Sequence, residues 1–130
     1  MGLLNAGRNF LAQAMINDSS PTFFDNAHAH LCVGDGDTAY NAEQTDLQAA
    51  TNKLRKGMDA SYPTRSNNAN TFRSTFATGD ANYEWKEWGV ANASSGGVLF
   101  NRKVESPSLG TKTNAQTWVL TATLTLGIGS

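Results

Sequence analysis

The sequence predicts a mostly β fold, an antiparallel β-sandwich of jelly-roll-like type with one N-terminal α-helix. Three observations lead to this class. The last segment alternates strictly between apolar and polar residues, shorter segments before it do so between turn residues, and apolar residues recur at helical spacing near the N-terminus. At 130 residues the chain has the length of a single domain, 1–130, with a helix or docking arm at 1–16 and a sandwich at 22–130.

The closing segment is the clearest strand, and it reads QTWVLTATLTLGIGS without a single charge. Successive side chains of a strand point to opposite faces, so the alternation separates an apolar inner face from a mainly threonine outer face. The segment is therefore predicted to be a half-buried strand. Its inner face would hold Trp118, Leu120, Ala122, Leu124 and Leu126, and its outer face Thr117, Val119, Thr121, Thr123 and Thr125.

The N-terminal segment has the spacing of an amphipathic helix of about three to four turns. Its predicted apolar face consists of Leu3, Gly7, Phe10, Leu11, Ala14 and Met15. The helix is expected to end at the turn-forming residues NDSSP, where Pro21 cannot continue it. Because Gly7 weakens an isolated helix, this helix needs a docking surface, either its own sheet or a neighbouring subunit.

Several β-like segments lie between the helix and the closing strand, and they read AHAHLCV, KLRKGMDASY, NTFRSTFAT, ANYEWKEWGVAN and VLFNRKVES. KLRKGMDASY is polar enough to lie near a sheet edge. NTFRSTFAT places Phe72, Ser74 and Phe76 on one face. YNAEQTDLQAAT predicts a loop with a helical turn around Asp46 to Ala50. The best hairpin candidate joins GVLFNRKV to TWVLTATLTL.

Composition argues against several classes of partner. Lys and Arg number 10 against 11 Asp and Glu, so a formal net charge of -1 provides no field that would attract nucleic acid or anionic lipid. No apolar stretch approaches the roughly 20 residues that cross a bilayer. The lone Cys32 excludes an intrachain disulfide and is expected to be a buried apolar residue. We therefore expect neither a nucleic-acid nor a membrane partner.

The sequence contains no recognisable catalytic motif. His28 and His30 share a strand face, but their spacing indicates no third metal ligand, so we expect them to line a polar face or a subunit contact. GDGD lacks the offsets of a calcium loop and the lysine of a phosphate loop, and it predicts a turn. No serine shows a nucleophile-elbow signature. We expect no enzyme activity, metal or cofactor.

The segment YEWKEWG is the densest aromatic feature. Its parity predicts that Trp85 lies in the core while Trp88 faces a loop or a partner. Glu84, Lys86 and Glu87 are expected to be solvated or paired with a neighbour. The alternative is a stacking platform for a sugar, formed by Tyr83 together with the two tryptophans.

The order of these segments resembles that of small structural proteins of tailed bacteriophages. The similarity rests on NAGRNFLAQAM, VGDGDTAYNAEQTDLQAATNKLRKGM, TFRSTF, YEWKEWGVANASSGGVLFNRKV and LGTKTNAQTWVLTATLTL. The chain is similar both to the N-terminal region of phage tail-collar or tail-fibre proteins and to stand-alone virion proteins. What the resemblance implies is a virion protein made in the host bacterial cytoplasm.

Among virion proteins, our leading hypothesis is a capsid decoration, or cement, protein that stabilises the head shell. Its partners would be other virion proteins, above all the major capsid protein, and it would form a homo-oligomer, with the trimer being common in this class. Phe10, Leu11 and Trp88 are the candidate partner-binding residues. The alternatives are a neck, collar or tail-baseplate component and, from a different class, a carbohydrate-binding module.

Overall fold

The computed structural model describes residues 1–127 and consists of two antiparallel sheets packed together, with one N-terminal helix. The predicted fold class, a mostly β sandwich with a single helix, is confirmed. Residues 128–130, the end of the predicted sandwich, lie outside the described residues. The elements in chain order are α1 (Asn5–Met15), β1 (His30–Gly34), β2 (Lys53–Gly57), β3 (Thr64–Ser66), β4 (Ala69–Phe76), β5 (Glu87–Ala91), β6 (Lys103–Val104) and β7 (Trp118–Thr125).

The first sheet has four strands in the order β2-β1-β5-β6. Its central strands are buried on both faces. Leu31, Val33 and Val90 point into the main core between the sheets, while Cys32 and Ala91 point to a second apolar cluster on the opposite side. The polar strand β2 lies at the edge of this sheet, as its composition predicts.

The second sheet has three strands in the order β3-β4-β7. Strands β4 and β7 pair along eight positions, from Ala69 with Thr125 to Phe76 with Trp118. The predicted parity of β7 is confirmed, because Ala122 and Leu124 are buried whereas its threonines are exposed.

The predicted hairpin between GVLFNRKV and the closing strand is wrong. Strand β6 pairs with β5, and Leu99 also bridges to Ala91, so this segment belongs to the first sheet. Strand β7 pairs with β4 instead. Both strands have eight residues with the same alternation, so in every pair the two side chains lie on the same face of the sheet.

The helix packs on its own chain. Phe10 is 8% exposed, and its ring meets that of Phe24 edge-on with the ring centroids 4.8 Å apart. Gly7 is buried directly against the backbone of Phe100, where a Cβ would collide with the carbonyl oxygen. Of the two docking surfaces that the sequence left open, the intrachain one is therefore occupied. The helix is not long and apolar enough to cross a membrane, and the described residues form no other helix.

The start of the predicted helix and the burial of Met15 need correction, whereas the helix ends before NDSSP as predicted. Residues 1–4 are not helical: Leu3 bridges to Asn101, and the Leu4 N–H donates to the Phe100 carbonyl oxygen at 3.0 Å. Residues 1–4 therefore lie beside the 100–101 segment of the first sheet in an extended, strand-like arrangement. At the other end, Met15 was predicted to lie on the apolar face but is 86% exposed, because the helix extends beyond the sheet that it covers.

The contact at Gly7 predicts whether replacing this glycine stabilises or destabilises the protein. Alanine is favoured over glycine in a helix by about 1 kcal/mol, so propensity alone predicts that Gly7→Ala stabilises the protein. We expect the opposite, a loss of about 1–3 kcal/mol of unfolding free energy, because the new methyl group forces the helix away from Phe100. Urea unfolding measures the difference. In the control Gly57→Ala, where a Cβ meets nothing within 4 Å, a change within about 0.5 kcal/mol is expected.

Candidate functional site

A fully buried ion pair lies at the start of β5. The side chains of Glu87 and Arg102 are both 0% exposed, and the Arg102 Nε donates to Glu87 Oε1 at 2.7 Å. Two charges removed from water are tolerated only where further hydrogen bonds satisfy them, because each loses its hydration. The surroundings of Glu87 supply these bonds.

The Glu87 carboxylate accepts hydrogen bonds from backbone N–H groups of the long segment between β1 and β2. Oε1 accepts from Gln48 at 2.8 Å, and Oε2 accepts from Ala49 at 2.8 Å and from Gly36 at 3.1 Å. These bonds bind the segment to the sheet. The helical turn predicted around Asp46 to Ala50 is absent, because these amides donate to a carboxylate rather than to carbonyls of their own turn.

Glu87 was expected to be solvated or paired with a neighbour. The structure shows the pair and places it in the interior, with Arg102 as the partner. A signal for this was present, since EWGVA is otherwise apolar and lies in a strand buried on both sides. The partner could not be predicted from spacing, because the antiparallel pairing of β5 with β6 brings Arg102 beside Glu87 from 15 residues further along the chain.

The guanidinium of Arg102 contacts a second part of the segment between β1 and β2. Its Nη1 donates to Gln44 Oε1 at 3.1 Å, while the buried Nη2 has no hydrogen-bond partner among the described residues. The Arg102 N–H also donates to the carbonyl oxygen of Gly2 at 2.8 Å. We name Glu87 and Arg102 together the ionic anchor, since they connect β5, the 36–49 segment and the N-terminus.

Other buried polar side chains hold loops in the same way. Lys112 is 1% exposed, and its Nζ donates to the Ala77 carbonyl at 2.7 Å and to Asn82 Oδ1 at 2.9 Å. Asn92 donates to the Thr22 carbonyl at 2.9 Å and accepts from the Val98 N–H at 2.7 Å. The irregular segments are therefore fixed to the sandwich by specific hydrogen bonds.

The candidate partner-binding residues lie mostly inside the protein. Trp88 was predicted to face a loop or a partner, but it is 9% exposed, and its Nε1 donates to Glu105 Oε1 at 3.1 Å. Trp85 is 2% exposed, as its parity predicts, and its Nε1 donates to the Ala81 carbonyl at 2.9 Å. Neither ring presents the open face on which a sugar could stack.

Phe10 and Leu11 border an apolar groove of about 230 Å³ between the helix and the second sheet. The groove is also lined by Phe24, Phe72 and Leu124, and Phe23 stands at its mouth with 52% of its surface exposed. Phe10 lines this groove with a buried ring, so of the two arrangements left open for its helix, packing on its own chain is the one observed.

The two histidines do not converge on a common point. His28 Nδ1 pairs with Asp25 Oδ1 at 2.6 Å, whereas His30 Nδ1 donates to the His28 carbonyl oxygen at 2.8 Å. Residues 1–127 contain no group of three or more His, Cys, Asp or Glu side chains arranged to hold a metal ion.

The outer face of the second sheet has uniform chemistry, and it is exposed along β3 and β7 and half-buried along β4. We call it the threonine face, and its members are Thr64, Ser66, Ala69, Thr71, Arg73, Thr75, Val119, Thr121, Thr123 and Thr125. Arg73 is the charged member of this face, and its Nε donates to Asp59 Oδ2 at 2.9 Å. The other charged residue of these three strands, Arg65, lies on the opposite face. Val119 is 56% exposed. The face is therefore rich in hydroxyl groups and locally neutral.

In comparisons with known proteins, no protein-family model and no curated protein matches this chain.

Removing the charge of Glu87 tests the ionic anchor. Glu87→Gln keeps the shape but leaves Arg102 buried without a counter-charge, so we expect a loss of about 3–5 kcal/mol of unfolding free energy. Urea unfolding at neutral pH checks this. Glu105→Gln is the matched control, because Glu105 pairs with Lys103 near the surface and should cost less than about 1 kcal/mol. Equal losses of unfolding free energy in the two variants would contradict the stabilising role of the ionic anchor.

Burial also determines the reactivity of the single thiol. Removal from water raises the pKa of Cys32 to about 12, so the nucleophilic thiolate is scarce at pH 8. We expect iodoacetamide at pH 8 to leave the folded protein unmodified and to add one carbamidomethyl group after denaturation, as measured by intact mass. Equal alkylation rates in the folded and denatured protein would contradict the burial.

Proposed function

We propose that this protein is a structural component of a tailed-bacteriophage virion, and specifically a capsid decoration protein that binds the shell of major capsid protein. The resemblance of its segments to small phage structural proteins supports the class. The observation that carries the proposal is the threonine face, an exposed and neutral sheet surface on an otherwise well-covered sandwich.

The chemistry of the threonine face suits contact with a protein lattice. Hydroxyl groups can donate and accept hydrogen bonds across a wet interface, and they lose less hydration than charges when they are covered. Threonine is β-branched, so its side chain is already restricted and loses little further freedom on binding. Such a surface binds with a small ordering cost in each copy.

The ionic anchor and the buried hydrogen bonds support the same proposal. They fix the irregular segments to the sheets, so that the whole surface is presented in one shape. A rigid subunit bound at many equivalent places on a symmetric shell multiplies a modest contact into a large stabilisation of the particle. The major capsid protein is the partner that offers many equivalent places.

A neck, collar or tail-baseplate component would use the same kind of surface, and copy number separates it from a decoration protein. We expect hundreds of copies in each purified particle of the phage whose genome encodes this chain, measured by gel densitometry against the major capsid protein. A handful of copies would instead support the neck, collar or baseplate. Complete absence from the particle would contradict a virion role. The carbohydrate-binding alternative finds no support, because Trp85 and Trp88 are buried.

A charge on the threonine face tests which surface binds. Thr71→Glu places a carboxylate in the centre of the face, and binding to shells of the phage's major capsid protein should fall at least about tenfold, which corresponds to 1.4 kcal/mol. The control Thr51→Glu lies in an exposed loop away from the face and should bind like the unchanged protein. Equal binding by both variants would contradict a role for this face.

A further inference from the structure

Strand β7 has one unpaired edge. Its first edge pairs with β4, and no segment of the described chain pairs with its second edge. Beyond the strand end, the N–H of Leu126 donates to Asn68 on the β4 side at 2.9 Å. Backbone groups of successive strand residues point to opposite edges, so the even-numbered residues face β4. The free edge therefore presents the N–H and C=O groups of Val119, Thr121, Thr123 and Thr125.

The other sheet edges carry the features that prevent pairing between molecules. Edge strand β2 contains Lys53, Arg55 and Lys56, β3 has three residues, and β6 has two. Charged or very short edge strands are the usual protection against pairing with another chain. In contrast, β7 has eight residues and lies in a segment, 113–127, without charge or proline. The long edge is the unprotected one.

We propose that β7 pairs antiparallel with β7 of a second copy of this chain, across a two-fold axis at Ala122. In this register Thr121 lies opposite Thr123 of the second copy and Val119 lies opposite Thr125. All four residues with outward N–H and C=O groups then find a partner. Each three-stranded sheet becomes half of a continuous six-stranded sheet, with both cores on the same side.

The occupant is a second copy because the edge is complementary to itself. It carries no charge that would select a partner of opposite sign, and antiparallel pairing places threonine beside threonine on the outer face. A threonine pair of this kind already exists within the sheet, where the Oγ1 atoms of Thr71 and Thr123 lie 3.1 Å apart. Pairing also enlarges the threonine face without interrupting it. The inference rests on strand geometry, independently of the virion proposal.

Two-fold pairing removes both free edges at once and closes at two copies. It therefore differs from the trimer that the phage resemblance implies. Sedimentation equilibrium of the purified protein should give a mass that rises with concentration towards two copies, 27.8 kDa from a chain of 13.9 kDa taken twice. A monomer at all concentrations, or an odd-numbered assembly, would overturn the proposal.

Amide hydrogen exchange shows whether β7 is the contact. We expect the amides of Val119, Thr121, Thr123 and Thr125 to become protected as the dimer forms, while those of Leu120 and Ala122 are protected at every concentration. A dimer whose odd-numbered β7 amides exchange as fast as in the monomer would show that another surface is used, and would overturn the proposal.

Two variants and one control complete the test. Thr123→Pro removes an N–H that points away from β4, so the fold should survive while the dimer dissociates. Thr121→Lys should weaken the dimer by placing two like charges close together near the axis. Thr64→Lys carries the same substitution on the same face at the opposite edge, and it should remain dimeric. Circular dichroism confirms folding of each variant, and a folded Thr123→Pro protein that remains dimeric would overturn the proposal.

Discussion

The rest of the structure depends on two opposite charges that are held entirely out of water. Glu87 and Arg102 would be strongly unfavourable in the interior by themselves, and they persist because the backbone amides around Glu87 complete its hydrogen bonds. These amides belong to an irregular segment with few other reasons to adopt one shape. The interior charge therefore specifies the path of the 36–49 segment, and the backbone N–H of Arg102 holds the N-terminus at Gly2.

The anchor explains why the two sheets differ. The 36–49 segment and the N-terminus cover the outer side of the first sheet, where Leu4, Leu47 and Leu99 join Cys32 and Ala91 in the second apolar cluster. Both faces of its central strands are consequently buried. The outer face of the second sheet is a neutral surface rich in threonine, with contacts from Asp59 and Tyr62 at Arg73. This asymmetry places the surface for which we propose a partner on the β3-β4-β7 side of the molecule.

The sequence predicted best the features that depend on local alternation. The parity of β7, the shared face of Phe72 and Phe76, and the edge position of β2 follow from the alternating spacing of strands and from polarity. Strand partners were less predictable, because β7 could satisfy its pattern against more than one segment. The choice of β4 depends on equal length and register over the whole pair. Burial of Trp88 was missed for a related reason, since the ring belongs to the main core and its Nε1 donates to Glu105, 17 residues away along the chain.

The sequence by itself therefore determined the class of fold, one helix with alternating strands, and the neutral character of the closing segment. Alternation and composition are properties of neighbouring residues, and they survive in any arrangement of the strands. Only the tertiary structure decided that Glu87 meets Arg102, that Gly7 allows the helix to touch Phe100, and that the second edge of β7 has no partner within the described chain. Each of these features depends on groups brought together from distant parts of the chain, so no local pattern records them.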